Sequence, residues 1–225
     1  YIPTGLAPLL AIALIYVLVS LFALGMLRGS DGVFFGIDLG GFRYDDSGYE
    51  IGNGTSSERI TNITVDWIAG SVTIIPSDGE EISISDDYQG NNRDLSLRWR
   101  IRDGELTVKY CASLWILNQT VDKNLILEVP ASMMEGLDEV EIDGVDCDVT
   151  FTGNADELSL DIVDGKVEVC GNIGEMELDT VDGSVTFQGA VRRADMDCVD
   201  AEVAMYLDMA AELNFDQVDG DGTLY

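Results

Sequence analysis

The residues with the clearest chemical potential are aspartates that recur in the tetrapeptide Asp-x-Val-Asp. Carboxylates at a constant spacing suit divalent cations, because Ca²⁺ prefers several oxygen ligands. They also suit turns, because an aspartate side chain accepts hydrogen bonds from nearby backbone N–H groups. The spacing is regular: the copies begin 18, 18, 18 and 19 residues apart, at Asp143, Asp161, Asp179, Asp197 and Asp216.

This spacing places the aspartates in two columns if the copies stack as neighbouring strands. Adjacent carboxylates would then lie about 4.8 Å apart, and they would repel by about 1 kcal/mol in water. Solvent-facing columns tolerate that repulsion, so we expect turn capping to be their main role and no metal to be needed, with a Ca²⁺ ladder as the alternative. Repulsion would raise the pKa values above about 3.9, whereas capping would lower them. The first aspartate column is Asp143, Asp161, Asp179, Asp197 and Asp216; the second aspartate column is Asp146, Asp164, Asp182, Asp200 and Asp219.

The elements that position these columns must be strands that stack. An 18-residue unit of two short strands has one apolar face and nothing of its own to cover it, so the copies must pack on one another in parallel. The steps from Leu160 to Val163 and from Val163 to Val167 break the two-residue alternation and predict corners next to an inward valine. A sixth, degenerate copy lies upstream at 66–70. The pattern predicts a single-stranded β-solenoid, right-handed or irregular, with coils of about 18 residues.

Upstream of the repeats, the chain also alternates apolar and polar residues. ITNITVDWIAGSVTII does so around a predicted turn at Ala69 and Gly70, and EEISIS, DLSLRWRIR, ELTVKY and NLILEVP predict further strands. Asp103 and Gly104 are a tight-hairpin signature. The only doubtful helical stretch after residue 28 is 131–139, so the domain is predicted to be all-β.

The N-terminal segment Leu6–Leu27 contains no charged residue and is long enough to cross a membrane as a helix. A cleaved signal peptide fits less well, because the segment has no basic start and no cleavage site. Arg28 is the only nearby cation, which is a weak signal of orientation. We therefore expect a transmembrane helix over 1–28, a glycine-rich polar spacer over 29–57 and the β-domain over 58–225.

Composition excludes several classes of function. The chain of 225 residues has 42 acidic and 12 basic residues, a formal charge of −30 and no histidine. Histidine-dependent hydrolases and His-ligated zinc sites are therefore excluded, and a charge of this sign repels nucleic acid. We expect no enzyme, no catalytic residue and no bound cofactor, with Ca²⁺ as the one candidate.

Three smaller groups of residues have two interpretations each. The tryptophans with Tyr110 suit either a sugar-stacking platform or a cap on the core. The alternating arginines suit ion pairs with nearby carboxylates. The cysteines lack metal or redox spacing and are expected to be packed thiols. These groups are Trp67, Trp99 and Trp115; Arg98, Arg100 and Arg102; and Cys111, Cys147, Cys170 and Cys198.

The line ITVDWIAGSVTIIPSDGEEISIS, followed by recurrent L-x-L-D-x-V-D-G-x-V-x-V units, resembles the bacterial putative-adhesin family over roughly 58–225. The resemblance implies a β-strand-repeat domain displayed behind one membrane helix, and it supplies no catalytic residues. We expect a single-pass protein of the cell membrane, anchored through Leu6–Leu27, with its solenoid outside the cytoplasm. Its function is expected to be non-catalytic binding, adhesion or spacing, with a cell-surface, glycan or protein ligand. The alternative is a regulatory or sensor module of an envelope-stress or signalling system that binds a protein partner.

Overall fold

A computed structural model describes residues 33–34, 37–38, 44–113 and 120–225. The predicted membrane segment Leu6–Leu27 lies outside these residues. Among the residues that are described, no helix is long and apolar enough to span a membrane. The later part of the predicted spacer 29–57 contains short strands and turns.

The described chain is nearly all β, as the alternation predicts. One helical turn, α1 (Ala131–Met134), is all that forms in the doubtful stretch 131–139, and 93–95 is a turn of 3-10 helix. The strands are β1 (Val33–Phe34), β2 (Ile37–Asp38), β3 (Glu50–Ile51), β4 (Gly54–Ser56), β5 (Asn62–Ser77), β6 (Ile82–Asp86), β7 (Arg98–Arg102), β8 (Glu105–Lys109), β9 (Lys123–Pro130), β10 (Leu137–Thr152), β11 (Ala155–Asp219) and β12 (Gly222–Leu224).

The main sheet is open and follows the order β12-β11-β10-β5-β8-β7-β3. Strands β5, β10, β11 and β12 run parallel to their neighbours along this path. The second half of β5 pairs in parallel with β9, whose other edge pairs antiparallel with β6. The parallel pairings of β5 with β10, of β10 with β11 and of β11 with β12 bring equivalent residues of different copies side by side.

The copies stack with an offset of 18 residues. Strands β10 and β11 pair with Asp143 beside Asp161 and Asp146 beside Asp164. Farther along β11, Gly183 has a φ of +128°, and a Cβ there would clash with the carbonyl oxygen of Gly165, which is 18 residues earlier. Glycine is therefore required where successive copies approach most closely.

The upstream copy at 66–70 belongs to the same stack, as the sequence predicts. In the parallel register of β5 and β10, Asp66 lies beside Asp143 although 77 positions separate them. The register keeps this offset of 77 from Asn62 to Ile74. The degenerate copy is thus the neighbour of the first clean copy.

The inward residue of the tetrapeptide differs from the predicted one. The second position is buried, at Ile162, Thr180 and Cys198, each at most 4% exposed. The valine of the first four copies is only half-buried, as at Val163, and Val218 of the last copy is exposed. The expectation of an inward valine was wrong because the chain keeps its two-residue alternation through Leu160 and Ile162 and breaks it only afterwards.

Two local predictions upstream have opposite outcomes. The hairpin is confirmed: β7 and β8 pair antiparallel around Asp103 and Gly104, which have φ values of 54° and 88°. The predicted turn at Ala69 and Gly70 was wrong, because β5 continues through both residues. Gly70, with a φ of +105°, instead marks the point where the pairing of β5 passes from β8 to β9.

Candidate functional site

The two aspartate columns lie on the outside of the stacked strands. Register places Asp143 beside Asp161 in the first column and Asp146 beside Asp164 in the second. The stack continues at the C-terminal end, where Val203 of β11 pairs with Gly222 of β12 at an offset of 19. That offset equals the last spacing between copies, from 197 to 216.

The two columns differ in their exposure to solvent. Asp143, Asp161 and Asp179 of the first column are half-buried. All five members of the second column are exposed. The difference arises because the first column lies on the straight part of each strand, between inward residues, whereas the second lies after the corner. The first column is therefore where burial affects ionisation most.

Burial and stacking raise the pKa of two carboxyls in the first column. Desolvation, followed by the charges of Asp143 and Asp179 on the adjacent copies, raises the pKa of Asp161 from 3.8 to about 7. The pKa of Asp179 is also raised, by desolvation and then by Asp197, against a hydrogen bond with Asp161 that lowers it. Both carboxyls hold their protons more tightly than a solvated aspartate does.

The second column shows the same direction at Asp164, whose pKa is raised by desolvation and then by Asp182 and Asp146. Capping by backbone N–H groups would have lowered these pKa values. The expectation that capping is the main role was therefore wrong for Asp161, Asp164 and Asp179. Asp219 does make such a bond, accepting the N–H of Gly220 at 2.9 Å.

Two residues that sequence reasoning missed bond the backbone of the next copy. The Asp148 carboxylate accepts the N–H of Lys166 at 2.8 Å, and the Asn154 side-chain oxygen accepts the N–H of Asn172 at 2.9 Å. Both bonds join residues 18 positions apart. The sequence did contain a signal for these bonds, because an acceptor side chain lies 18 residues before each of the two N–H groups.

The carboxylates of a column follow a line, one for each strand. Calcium instead requires six to eight oxygens that converge on one point. Within the described ranges, no group of three or more histidine, cysteine, aspartate or glutamate side chains could hold a metal ion. The arrangement is therefore a line of repeated negative charge.

The N-terminal end of the first column is closed by a lysine. Asp66, in register with Asp143, is 2% exposed and forms an ion pair with Lys109 of β8. Lys109 lies directly beside Asp66 in the parallel register of β5 and β8. A cation on the adjacent strand thus neutralises this carboxylate in the place where the next aspartate would stand.

A buried lysine, also missed from the sequence, closes the core at this end. Lys123 is fully buried, and its ammonium lies 3.1 Å from Asp86 and donates to the carbonyl of Leu95 at 3.0 Å. It also lies 4.1 Å from the ring centroid of Tyr110. Burial lowers the pKa of Lys123, and the charge of Asp86 opposes that shift. A single lysine in non-repeating sequence gave no signal.

The tryptophan group is a core cap where the structure describes it. Trp67 is fully buried, contacts Tyr110 edge-on at 5.1 Å and donates to the carbonyl of Lys123 at 2.9 Å. Trp99 is partly buried and donates to the carbonyl of Gly52 at 3.0 Å. A sugar platform that uses Trp67 and Tyr110 is therefore excluded. Trp115 lies outside the described residues.

The three arginines were expected to form ion pairs with nearby carboxylates. In the described residues, only Arg102 does so, in an exposed pair with Asp103 at 3.5 Å. Arg98 is buried and donates to the carbonyls of Ser96 and Arg93. Arg100 lies over the ring of Tyr49 at 4.5 Å. The expectation overlooked backbone carbonyls and rings as partners for a guanidinium.

The cysteines are packed thiols at three of their four positions. The three buried ones are Cys111, Cys147 and Cys198, and Cys170 is exposed. Burial raises the pKa of Cys147 to about 12 and that of Cys198 to about 11. Such thiols are poor nucleophiles near neutral pH.

Comparison with known proteins gives likeness in structure only. A scan against protein-family models finds no match for this chain, and a search of curated proteins finds none either. Among solved structures, the chain is similar to a putative adhesin from Bacteroides fragilis at 12% identity, covering 78% of this chain and 96% of that one with a TM-score of 0.33. A putative cell adhesion protein from Clostridium sporogenes matches at 12% identity, over 78% and 99% of the two chains, with a TM-score of 0.33.

A third similar structure is a putative adhesin from Parabacteroides merdae, at 14% identity over 79% and 95% of the two chains, with a TM-score of 0.27. At such identities and TM-scores, these structures transfer no ligand and no site residue to this chain.

Proposed function

We propose that this chain is a non-catalytic binding module whose ligand-facing surface is the pair of aspartate columns. In this proposal, the stacked copies wind as a β-solenoid, Leu6–Leu27 anchors the chain in the cell membrane, and the solenoid is displayed outside the cytoplasm. The observation that carries the proposal is the parallel register of β10 and β11, which places Asp146 beside Asp164 and Asp143 beside Asp161.

The repeated charge favours a ligand that is itself repetitive and cationic. Residues 137–225 contain 24 acidic and 3 basic residues. Strands in a sheet lie about 4.8 Å apart, so that each copy offers one exposed carboxylate of the second column to the same face. Several weak contacts made together bind far more tightly than one contact does.

The binding experiment compares two variants of the full chain that carry equal charge. One replaces Asp146, Asp164, Asp182 and Asp200 with asparagine, and the other replaces the exposed Glu58, Asp78, Glu80 and Glu81 with their amides. Both change the formal charge from −30 to −26. Binding to a polylysine layer is measured by surface plasmon resonance.

We expect the column variant to bind about tenfold more weakly than the wild type and the control variant to change less than about twofold. Equal losses in both variants would overturn the proposal, because net charge alone would then explain the binding.

Membrane display is tested separately on cells that express the chain with a C-terminal epitope tag. Carbonate-washed membranes are expected to retain the tag, and protease added to intact cells is expected to remove it. A protected tag would place the domain on the cytoplasmic side and favour the alternative, a regulatory module that binds a protein partner.

A further inference from the structure

The C-terminal end of the main sheet differs from the N-terminal end in the number of apolar side chains that it exposes. Strand β12 is the last in the sheet order, and no described strand pairs with its outer edge. Six of the eight exposed large hydrophobic side chains in the described ranges lie at this end. They are Tyr206, Met209, Phe215, Val218, Leu224 and Tyr225.

An apolar cleft of about 410 Å³ opens at the same end of the core. Its walls include Met196 and Met205 from one copy and Leu213, Phe215 and Leu224 from the last copy and β12. Met196 and Met205 are buried beneath the last copy, whereas Phe215 and Leu224 of the last copy and β12 are exposed. Apolar surface concentrated at a sheet edge is a docking surface for an added strand.

The negative charge at this end favours a cationic partner strand. Residues 194–225 contain nine acidic residues and neither lysine nor arginine. A second copy of the chain would bring the same negative charge against this end, and that repulsion disfavours self-association. A cationic strand would be attracted instead.

The opposite end of the first aspartate column shows how a neighbouring strand with a cation can neutralise the last carboxylate. There Lys109 of β8 lies in register beside Asp66 and pairs with its carboxylate. At the C-terminal end, the column finishes at Asp216, which is exposed. The two ends of one column therefore differ by a single strand that carries a lysine.

We infer that the C-terminal edge binds an extended polypeptide segment that alternates apolar residues with lysine or arginine, and that one cation pairs with Asp216. The inference rests on the proposed binding function and names the partner's chemistry at this end. Apolar side chains of the segment cover the cleft beside Phe215, and its backbone continues the parallel sheet. Its cation takes the place beside Asp216 that Lys109 takes beside Asp66.

The test uses the full chain in mild detergent and three synthetic peptides. The first peptide alternates valine with threonine and has a lysine at its centre. The second has glutamate in place of the lysine, and the third is the lysine peptide with alternate backbone nitrogens methylated. Binding is measured by fluorescence anisotropy against the wild type, Asp216→Asn and Asp208→Asn. Asp208 is exposed at the same end but lies outside both columns.

We expect the lysine peptide to bind the wild type, and the glutamate and N-methylated peptides to bind at least about tenfold more weakly. Asp216→Asn is expected to weaken the lysine peptide about fivefold to tenfold and Asp208→Asn less than about twofold. Equal effects of the two substitutions would overturn the pairing with Asp216. Equal binding of the N-methylated peptide would overturn strand addition.

Failure of the lysine peptide, together with a dimer in sedimentation, would assign this edge to a second copy and overturn the inference. The proposed function would survive that result if the polylysine layer still distinguished the column variant from its charge-matched control. The two experiments use different residues, Asp216 in one and the second aspartate column in the other, so their failures are distinguishable.

Discussion

At the scale of single residues, the main property of the first aspartate column is the raised pKa of Asp161 and Asp179. Asp161 lies between Asp143 and Asp179 on adjacent copies, and Glu141 and Glu177 add to the negative field around it. Desolvation is the largest cause of its raised pKa, ahead of the repulsion that the sequence predicts. The sequence could supply the neighbours, but it could not supply the half-burial, because that depends on where the strand turns its corner.

The sign of the pH dependence follows from this raised pKa. Between about pH 4 and pH 7 the folded chain binds more protons than the unfolded chain, so the free energy of unfolding falls as pH rises through that window. We expect the wild type to be more stable at pH 5 than at pH 8. Asp161→Asn should remove about 1 kcal/mol of this difference, since water still screens a half-buried carboxyl. Urea unfolding at the two pH values measures it.

The matched control is Asp200→Asn in the exposed second column. It makes the same chemical change and should leave the difference between pH 5 and pH 8 nearly unchanged. A wild type that is less stable at pH 5 than at pH 8 would show that the carboxyls of the first column are held ionised.

At the scale of elements, the repeat predicts more than the single residues do. Its 18-residue spacing gives the register of β10 on β11, and its degenerate copy gives the register of β5 on β10, including Asp66 beside Asp143. The repeat could not identify Lys123, because β9 is not a copy of the motif. The repeat also gave the wrong inward residue. At a corner, the sequence is equally compatible with the second or the third residue of the tetrapeptide facing the core.

The non-repeating end of the sheet depends on the buried pair of Lys123 and Asp86. We expect Lys123→Met to lower the free energy of unfolding by about 3–5 kcal/mol, because it leaves a buried carboxylate without its cation. Adding Asp86→Asn to that variant should recover part of the loss, since it removes the unpaired charge. Urea unfolding of the single and double variants measures both effects. A single variant as stable as the wild type would show that the pair does not hold this end together.

At the scale of the whole molecule, cations and exposed apolar side chains lie at opposite ends of the stack. Seven of the twelve cations lie between residues 44 and 123, where Lys109 and Lys123 close the N-terminal end of the stack. The copies that follow carry most of the negative charge, and the last of them end in exposed apolar side chains. The sequence predicts this charge asymmetry directly. It does not predict which end of the sheet exposes apolar side chains, because that depends on pairing between strands that are distant in sequence.

The register of the copies is tested most directly by cysteine cross-linking in a Cys170→Ser background, which removes the exposed native thiol. Asp146→Cys with Asp164→Cys joins adjacent copies, about 4.8 Å apart, and should form a disulfide under mild oxidation. Asp146→Cys with Asp182→Cys joins alternate copies, about 10 Å apart, beyond the reach of about 7 Å for a disulfide, and should stay reduced. A disulfide between residues 146 and 182, or none between residues 146 and 164, would contradict the parallel 18-residue stacking on which both aspartate columns depend.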